Sequence, residues 1–190
     1  MTTLGSDGRV NIAPMGPIVD AAFERLTLRP YQTSTTYANL KRSGQGVFHV
    51  TDNVLLIAQA AIGAIEPQPE TIAAESIEGR ILADCCRWYA LRVESLDDRQ
   101  PRTEIVARVV DHGTRREFFG FNRAKHAVLE AAIVATRLEF LSAEQIRAEF
   151  GRLAPLIDKT GGDQEHQAFR LLDRHVRDAL AIMELNRPTR

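Results

Sequence analysis

The spacing of apolar residues changes near residue 121, and this change limits the possible folds more than any other feature. Before it, apolar and polar residues alternate in short runs between turn residues, which is typical of β-strands. After it, apolar residues recur every three or four positions, which is typical of amphipathic helices. The chain therefore predicts a β-rich domain over residues 1–120 and a helical region over residues 121–190.

Turn residues divide the first domain into about six short strands. Asp7-Gly8 predicts a hairpin turn before a strand at residues 9–13. Residues 46–50 predict a buried strand, and residues 88–93 with 104–110 predict the clearest hairpin. Short strands with brief helices between them favour a small closed barrel, so we expect a mixed α+β fold.

Two brief helices are predicted among these strands. Residues 37–42 precede Gly44, which is a typical helix stop, and a Ser or Thr before them serves as the cap. Residues 54–62 follow Asp52, which we expect to cap that helix.

The helical region contains its own start and stop residues. Residues 122–141 predict a helix capped by its first residue, and Ser142 with Gln145 forms a capping-box pattern for the next. Pro155 predicts a kink or an end in that second helix. Residues 159–162 predict a break before a last helix. The apolar stripe of that last helix comprises Phe169, Leu172, Val176, Leu180 and Met183.

Composition excludes several classes of function. Lys+Arg number 24 against Asp+Glu 25, so the formal charge of −1 gives no electrostatic case for binding nucleic acid or an anionic membrane. Cys85 and Cys86 are neighbours that form no useful cross-link, which predicts a reducing compartment. Neither a secretion signal nor an apolar stretch long enough to cross a bilayer is visible. We therefore expect a cytoplasmic protein.

Common catalytic patterns are absent. Gly44-Gln45-Gly46 follows a predicted helix rather than a strand, and no Gly-Lys-Ser/Thr phosphate loop occurs, which disfavours nucleotide hydrolysis and Rossmann-type NAD binding. No Gly-x-Ser-x-Gly elbow is present either. The histidines lack the spacing of metal ligands, so we expect no metal; a site assembled from distant residues is the alternative.

Two segments have the chemistry of a ligand site. Thr33-Ser34-Thr35-Thr36 precedes a helix start, where free N–H groups and hydroxyls suit a phosphate monoester; Asn39 follows, and Arg29 or Lys41 could supply charge. The alternative is that one hydroxyl caps the helix and the others form a turn. The second segment is residues 11–17, where prolines and a glycine leave backbone groups without ladder partners. These groups could bond to the polar edge of a flat heterocycle. The alternative is that the segment is only the end of an edge strand.

These segments resemble flavin-reductase-like FMN-binding split-barrel proteins. The resemblance is greatest to an uncharacterised, mainly archaeal-type subgroup with a C-terminal helical extension. It rests on the motif order Gly8-Arg9-Val10-Asn11-Ile12-Ala13-Pro14-Met15-Gly16, Leu28-Arg29-Pro30-Tyr31 with Thr33-Ser34-Thr35-Thr36 and Asn39-Leu40, Gly46-Val47-Phe48-His49-Val50-Thr51-Asp52, Phe121-Asn122-Arg123-Ala124 and Lys159-Thr160-Gly161-Gly162.

The resemblance implies a six-stranded split barrel, a homodimer, and one FMN per subunit in a groove at the dimer interface. Carried over by position, one set of residues lies against the isoalloxazine: Asn11, Ala13, Pro14, Met15 and Gly16. The other set holds the phosphate: Thr33, Ser34, Thr35, Thr36 and Asn39. The FMN-binding barrel thus corresponds to residues 1–120.

The resemblance implies an oxidoreductase or electron-transfer flavoprotein whose substrate and electron donor the sequence does not identify. A non-catalytic module that binds flavin or another phosphorylated ligand is the alternative. The chain begins at Met1-Thr2-Thr3 where family members have a full first strand, so we expect either a shortened strand or a start placed too late. A shortened strand would weaken the barrel, and it gives a third alternative, a purely structural dimer that has lost its cofactor.

Other residues have weaker functional readings. Trp88 and Tyr89 could stack on a flavin, although strand aromatics more often belong to the core. His49 on an apolar strand is expected to be a hydrogen-bonded core residue. Cys85 and Cys86 are expected to point to opposite faces, with at most one buried. Residues 159–162 could form a lid over the flavin, or simply end a helix.

Overall fold

The computed structural model describes residues 1–185, which form nine strands and five helices. The strands are β1 Thr2–Leu4, β2 Val10–Ile12, β3 Ile18–Val19, β4 Arg25–Leu28, β5 Gln45–Val50, β6 Thr71–Ala73, β7 Arg80–Leu82, β8 Arg87–Asp97 and β9 Glu104–Thr114. The helices are α1 Thr35–Ser43, α2 Val54–Ala61, α3 Arg123–Ala135, α4 Ala143–Thr160 and α5 Asp163–Leu185. The predicted mixed α+β class is confirmed.

The chain forms two compact units. The first, called here the sheet unit, comprises residues 1–51 and 68–118. The second, the helical unit, comprises residues 52–67 and the chain from residue 119 onward. The helical unit thus includes α2, which the sequence places among the strands. The division at residue 120 stays a prediction.

Seven strands of the sheet unit form one antiparallel sheet in the order β2-β1-β5-β8-β9-β4-β3. Although β2 and β3 lie at opposite edges, only residues 13–17 separate them in sequence. Such a link spans at most about 20 Å, so the sheet curls until its edges approach each other, as in a split barrel. The strand number differs from the predicted six, because β3 adds a seventh strand and β6 and β7 form a separate hairpin.

Alternating side chains form the core of this sheet. Leu26 and Leu28 on β4 are fully buried, whereas Arg25 is exposed and Thr27 is half-buried, as a period of two requires. The predicted hairpin of β8 and β9 is confirmed and is longer than predicted, with 11 residues in each strand. Register shifts at Ala90/Leu91 and Val93/Ser95 bend these long strands, because an extra residue in one strand increases its local twist.

The helical unit is built around α3. Asn122 caps α3 by accepting a hydrogen bond from the N–H of Lys125 at 3.0 Å, as predicted. A stripe of small residues on α3, including Ala127 and Ala131, is completely buried and lets α2, α4 and α5 pack closely against it. The predicted capping box at Ser142 is also confirmed.

Several predicted boundaries were wrong. Asp52 does not cap α2, because its carboxylate accepts from the N–H of Phe119 at 2.9 Å and Asn53 takes the cap instead. Helix α3 ends at Ala135 rather than at residue 141. Helix α4 does not end at Pro155 but continues through it, since Leu153 and Ile157 on either side are buried; a kink at Pro155 stays a prediction. Their packing offsets the roughly 3 kcal/mol that an internal proline costs.

The two cysteines also differ from the prediction. Cys85 and Cys86 are both buried, because they lie in a bend between β7 and β8 where the alternation of an extended strand does not apply. Burial raises the pKa of the Cys85 thiol to about 11, which leaves it protonated and unreactive near neutral pH. On the last helix, Met183 of the predicted apolar stripe is 40% exposed. Among residues 1–185, no helix has both the length and the apolar composition of a membrane span.

Candidate functional site

The N-terminus of α1 has a geometry that suits an anion, because a helix start presents free N–H groups and a positive dipole. Ser34 has an extended backbone, and its hydroxyl accepts from the N–H of Tyr37 at 3.2 Å, so it is the N-cap. The first turn contains no acidic residue, so its positive dipole is not compensated from within the helix. Thr33 and Thr35 flank the cap with exposed side chains, so hydroxyl donors and the helix N-terminus face solvent together.

The loop before α1 is held by the turn between β8 and β9. The Gln32 side chain donates to the carbonyls of Asp98 at 2.6 Å and Gln100 at 2.9 Å. Its backbone N–H donates to Pro101, and Thr103 donates to Pro30 through both its N–H and its hydroxyl. These bonds tie the hydroxyl loop to a rigid hairpin, and a pre-organised loop binds an anion with less loss of conformational entropy.

Lys41 is engaged away from the first turn. Its amine lies 2.7 Å from the Asp98 carboxylate and 3.0 Å from the Tyr37 hydroxyl, and Tyr37 donates to the same carboxylate at 2.6 Å. The hydrogen bond with Asp98 raises the pKa of Lys41, and the Lys41 amine in turn holds the pKa of Asp98 low. Because Lys41 lies in the last turn of α1, Arg29 is the better candidate for charge beside the hydroxyl loop.

A buried polar cluster connects α1 with the start of the sheet. The hydroxyl of Thr3 accepts from the side-chain amides of Asn39 at 3.0 Å and Asn11 at 3.2 Å. Asn11 also donates to the hydroxyl of Thr36 at 3.0 Å. Thr3, Thr36 and Asn39 are each no more than 6% exposed. The structure therefore brings Asn11, Thr36 and Asn39 together around Thr3, with their side chains bonded within the cluster. Thr36 and Asn39 are buried, and Asn11 is half-buried.

The segment after Asn11 leaves the sheet, as predicted. Ala13 exchanges hydrogen bonds with Met1 at 3.0 Å and 2.7 Å, and the strand then ends. Pro14 and Gly16 are exposed, and a Cβ on Gly16 would meet no atom within 4 Å. Met15 packs against the barrel core instead. The Asn11–Thr36 contact thus sets this open segment near the buried side of α1.

Other candidates have structural roles. Tyr89 is 9% exposed and contacts the rings of Phe23 and Phe48, and Trp88 covers Gly113, where a Cβ would lie 2.7 Å from the indole nitrogen. The expectation that His49 is a hydrogen-bonded core residue is confirmed: it is 6% exposed, and its Nε2 accepts from the N–H of Leu82 at 3.1 Å. Burial lowers the pKa of His49 to about 3, so it is neutral near pH 7.

The loop at residues 159–162 ends α4. Gly161 is the C-cap, with its N–H donating to the carbonyl of Ile157 at 2.8 Å. A Cβ on Gly161 would lie 2.6 Å from that carbonyl oxygen, so the glycine is required by a close approach. A lid function for this loop stays a prediction.

Sequence reasoning missed two parts of this region. Thr3 joins the polar cluster, and the only sequence hint is its place in the strand that pairs with the Asn11 strand. The turn at residues 98–103 fixes the hydroxyl loop through bonds that span 66 and 68 residues of sequence, and no local pattern marks that pairing. Both are long-range contacts, which single-sequence periodicity does not report.

Comparison with known proteins covers both units. Residues 1–116 match the N-terminal domain of a protein of unknown function, DUF447, and residues 122–174 match a second DUF447 segment. An FMN-bound Methanosarcina mazei protein of the same family model has a similar fold, with a TM-score of 0.75, 24% identity, and coverage of 92% of this chain and 91% of that one.

Two flavin proteins resemble part of the chain. The styrene monooxygenase flavin reductase of Pseudomonas putida has a TM-score of 0.51 at 15% identity, over 61% of this chain and 78% of that one. An FMN-binding protein of Thermus thermophilus has a TM-score of 0.50 at 16% identity, over 60% of this chain and 68% of that one. At these identities the likeness is one of fold, and it confirms the resemblance to flavin-reductase-like split barrels.

Proposed function

This chain belongs to the DUF447 family of proteins of unknown function, and we propose that it is a flavoprotein that binds FMN through its sheet unit. The observation that carries the proposal is the N-terminus of α1. Ser34 caps the helix there, Thr33 and Thr35 on either side are exposed, and the first turn has no acidic residue. The FMN-bound Methanosarcina protein, which has the same fold, supports the choice of cofactor.

The donor set at this turn fits a phosphate monoester. Thr33 and Thr35 offer hydroxyl donors, the first-turn N–H groups offer main-chain donors, and the guanidinium of exposed Arg29 offers a full positive charge. In this proposal Thr33 and Thr35 contact the phosphate directly, and Ser34 positions the helix start, because its hydroxyl accepts from the N–H of Tyr37 and donates to the carbonyl of Tyr31. Thr36 and Asn39 act one step away, because their hydrogen bonds orient α1 against the sheet.

The open segment at residues 13–17 suits the isoalloxazine. Main-chain groups of Pro14 and Gly16 are exposed and outside the β-ladder, so they can bond to the polar edge of a flat ring system. The absence of a side chain at Gly16 leaves the approach open. Met15 fixes the segment by packing into the barrel, and Asn11 fixes it from the preceding strand.

The proposed activity is that of an oxidoreductase or an electron-transfer protein. Bound FMN supplies hydride and one-electron chemistry itself, so the protein need only bind, orient and shield it. The residues described above perform those tasks without an acid–base pair. The fold shared with the Pseudomonas putida flavin reductase supports this class, while substrate and electron donor are left open.

We further propose that the protein forms a homodimer. Both residues of the edge strand β3 carry exposed apolar side chains, Ile18 at 54% and Val19 at 39%. An exposed apolar edge strand is a favourable surface for a second chain. Sedimentation of the wild type and of an Ile18→Lys/Val19→Lys variant tests this, because a charged edge should give monomers.

Titrations with FMN and with riboflavin test the cofactor and its phosphate site together. Riboflavin lacks the phosphate, so the wild type should bind FMN more tightly, with a flavin absorption band in the bound fraction. The variant Thr33→Val/Thr35→Val, which keeps the Ser34 cap, should bind FMN at least about tenfold more weakly, since it loses charge-assisted hydrogen bonds, and should bind riboflavin unchanged.

The matched control is Thr160→Val, which removes an exposed hydroxyl that donates to Leu156 in the helical unit. Equal loss of FMN and riboflavin affinity in the double variant would refute the phosphate assignment, because riboflavin has no phosphate to lose. Failure of the wild type to bind either flavin would refute the cofactor. A bound flavin that neither NADH nor NADPH reduces, and that no redox partner reduces, would favour the non-catalytic binding module.

A further inference from the structure

An aromatic ring lies in the open beside the hydroxyl loop. Tyr31 is 57% exposed, so its ring is largely accessible to a ligand. Its carbonyl accepts from the N–H of Ser34 at 2.9 Å, which closes a β-turn, so the Cα atoms of Tyr31 and Ser34 lie within about 7 Å of each other. The ring therefore stands next to the N-terminus of α1, where the proposed function places the FMN phosphate.

The start of β9 holds this ring in place. Tyr31 and Arg102 are partners in an antiparallel bridge, which is continued by a bond from the N–H of Thr103 to the carbonyl of Pro30 at 3.0 Å. The Arg102 guanidinium lies 5.8 Å from the centroid of the Tyr31 ring, a distance typical of a cation–π contact. Since a guanidinium lies over only one face of a ring, the other face can stack on a flat ligand.

Arg102 keeps its positive charge for a ligand. The tip of the β8–β9 hairpin contains two carboxylates, and each pairs with another cation: Asp98 with Lys41 at 2.7 Å, and Asp97 with Arg99. A guanidinium that stacks on a ring still directs its N–H groups outward in its own plane, where they suit a phosphate. An open ring face and a phosphate donor thus stand side by side.

FMN uses only part of this surface. In the proposed function, the segment at residues 13–17 receives the isoalloxazine and the N-terminus of α1 receives the phosphate. The hydroxyl loop lies in the chain between Tyr31 and Thr36, and Thr36 contacts Asn11 at 3.0 Å. The Tyr31 ring is therefore a second flat surface, reached from the phosphate rather than from the isoalloxazine. A ligand that uses the whole surface has a flavin, two phosphates and a second flat ring.

We propose that the cofactor site also accepts FAD, with its adenine stacked on Tyr31 and its second phosphate bonded to Arg102. FAD is FMN joined through its phosphate to adenosine monophosphate, so its extra half begins where the FMN phosphate ends. We call Tyr31 and Arg102 the adenylate subsite; both belong to the sheet unit. The proposal rests on the flavin binding proposed above and extends the cofactor to a dinucleotide.

Calorimetric titrations with FMN and with FAD test the proposal, because the two ligands differ only in the adenylate half. The wild type should bind FAD at least as tightly as FMN. Tyr31→Ala should weaken FAD about tenfold and leave FMN unchanged, since stacking of a base on an aromatic side chain contributes about this factor. Tyr31→Phe keeps the ring face and should retain the affinity for FAD.

Arg102→Gln is a second, independent variant, and it decides the question should Tyr31→Ala not fold. It removes the donor to the second phosphate, so it should weaken FAD about tenfold and leave FMN unchanged. The matched controls Phe140→Ala and Arg152→Gln remove an exposed ring and an exposed arginine from the helical unit, and neither should change the affinity for FAD.

The outcomes separate this proposal from the proposed function. Binding of FMN without binding of FAD would overturn the adenylate subsite alone. Unchanged FAD affinity in Tyr31→Ala and Arg102→Gln, or an equal loss of FMN and FAD affinity in both variants, would also overturn it. Failure of the wild type to bind either flavin would overturn both proposals.

Discussion

Replacing Lys125 by methionine should destabilise the helical unit strongly. The Lys125 amine donates to the Glu165 carboxylate at 2.8 Å, to the carbonyl of Asp52 at 2.9 Å and to the side chain of Gln164 at 3.3 Å. The side chains of Lys125 and Glu165 are only 17% and 7% exposed. Methionine keeps the apolar stem of lysine but removes its charge, so Glu165 is left as a buried carboxylate that still accepts from the N–H of Gly162 at 2.8 Å.

The expected loss follows from this geometry. Removing one partner of a buried ion pair costs about 3–5 kcal/mol. Glu165 keeps its hydrogen bond from Gly162, and the pair is not completely buried. We therefore expect Lys125→Met to lower the free energy of unfolding by about 3 kcal/mol, near the lower end of this range. For a chain of this size, such a loss lowers Tm by about 6–12 °C.

Urea and thermal unfolding followed by far-ultraviolet circular dichroism measure this loss. The matched control is Lys41→Met, which breaks an ion pair with Asp98 at 2.7 Å in which the lysine side chain is 57% exposed, and it should cost far less. The double variant Lys125→Met/Glu165→Gln should recover much of the loss, because the unpaired charge is gone. Equal effects of Lys125→Met and Lys41→Met would refute the reasoning.

The same pair predicts a pH dependence. Burial raises the pKa of Glu165, but the hydrogen bonds from Lys125 and from the N–H of Gly162 outweigh it, so the pKa is lowered overall. A lowered pKa in the folded state stabilises the fold above the pKa of the unfolded chain, about 4.3, and that contribution is lost as pH falls below it. The stability difference between wild type and Glu165→Gln should therefore shrink on acidification below about pH 4.

Three further outcomes are expected. Gly151→Ala should stabilise α4 by about 0.5–1 kcal/mol in urea unfolding, because its Cβ meets open space; destabilisation would mean that the glycine has a structural role. Leu91→Ala in the fully buried sheet core should cost about 2–5 kcal/mol, and a loss below that of half-buried Leu96→Ala would contradict the packing described. Cys85 should react slowly with iodoacetamide at pH 8 in the folded protein and rapidly in urea, since its pKa is about 11; fast reaction in the native state would contradict its burial.

Local patterns predicted local structure well. The Ser or Thr cap before α1, which Ser34 supplies, the stop at Gly44 and the capping box at Ser142 each depend on atoms within a few residues, and each is confirmed. Pro155 shows the limit of such rules, because tertiary packing of the flanking residues outweighs the local cost of proline.

The candidate site was predictable only in part. The hydroxyl loop and the segment after Asn11 were visible as sequence motifs. The contact between these two segments was not visible in the sequence. It depends on the hydroxyl of Thr3, which accepts hydrogen bonds from Asn11 on a neighbouring strand and from Asn39 on α1. Likewise, the inward direction of Thr36 and Asn39 follows from the rotation of α1 on the sheet, which periodicity over nine residues does not fix.

The helical unit is encoded by two separate stretches of the gene, and this arrangement affects how the protein can evolve. Because residues 52–67 lie between two stretches of the sheet unit, a single recombination point cannot separate the two units. A gene fragment ending at residue 120 would encode α2 without α3 and α5, which normally cover its buried residues Val54 and Ala58. Such an apolar helix would favour aggregation. Inheritance should therefore keep the two units together, and shuffling of the barrel with other partners requires at least two exchanges.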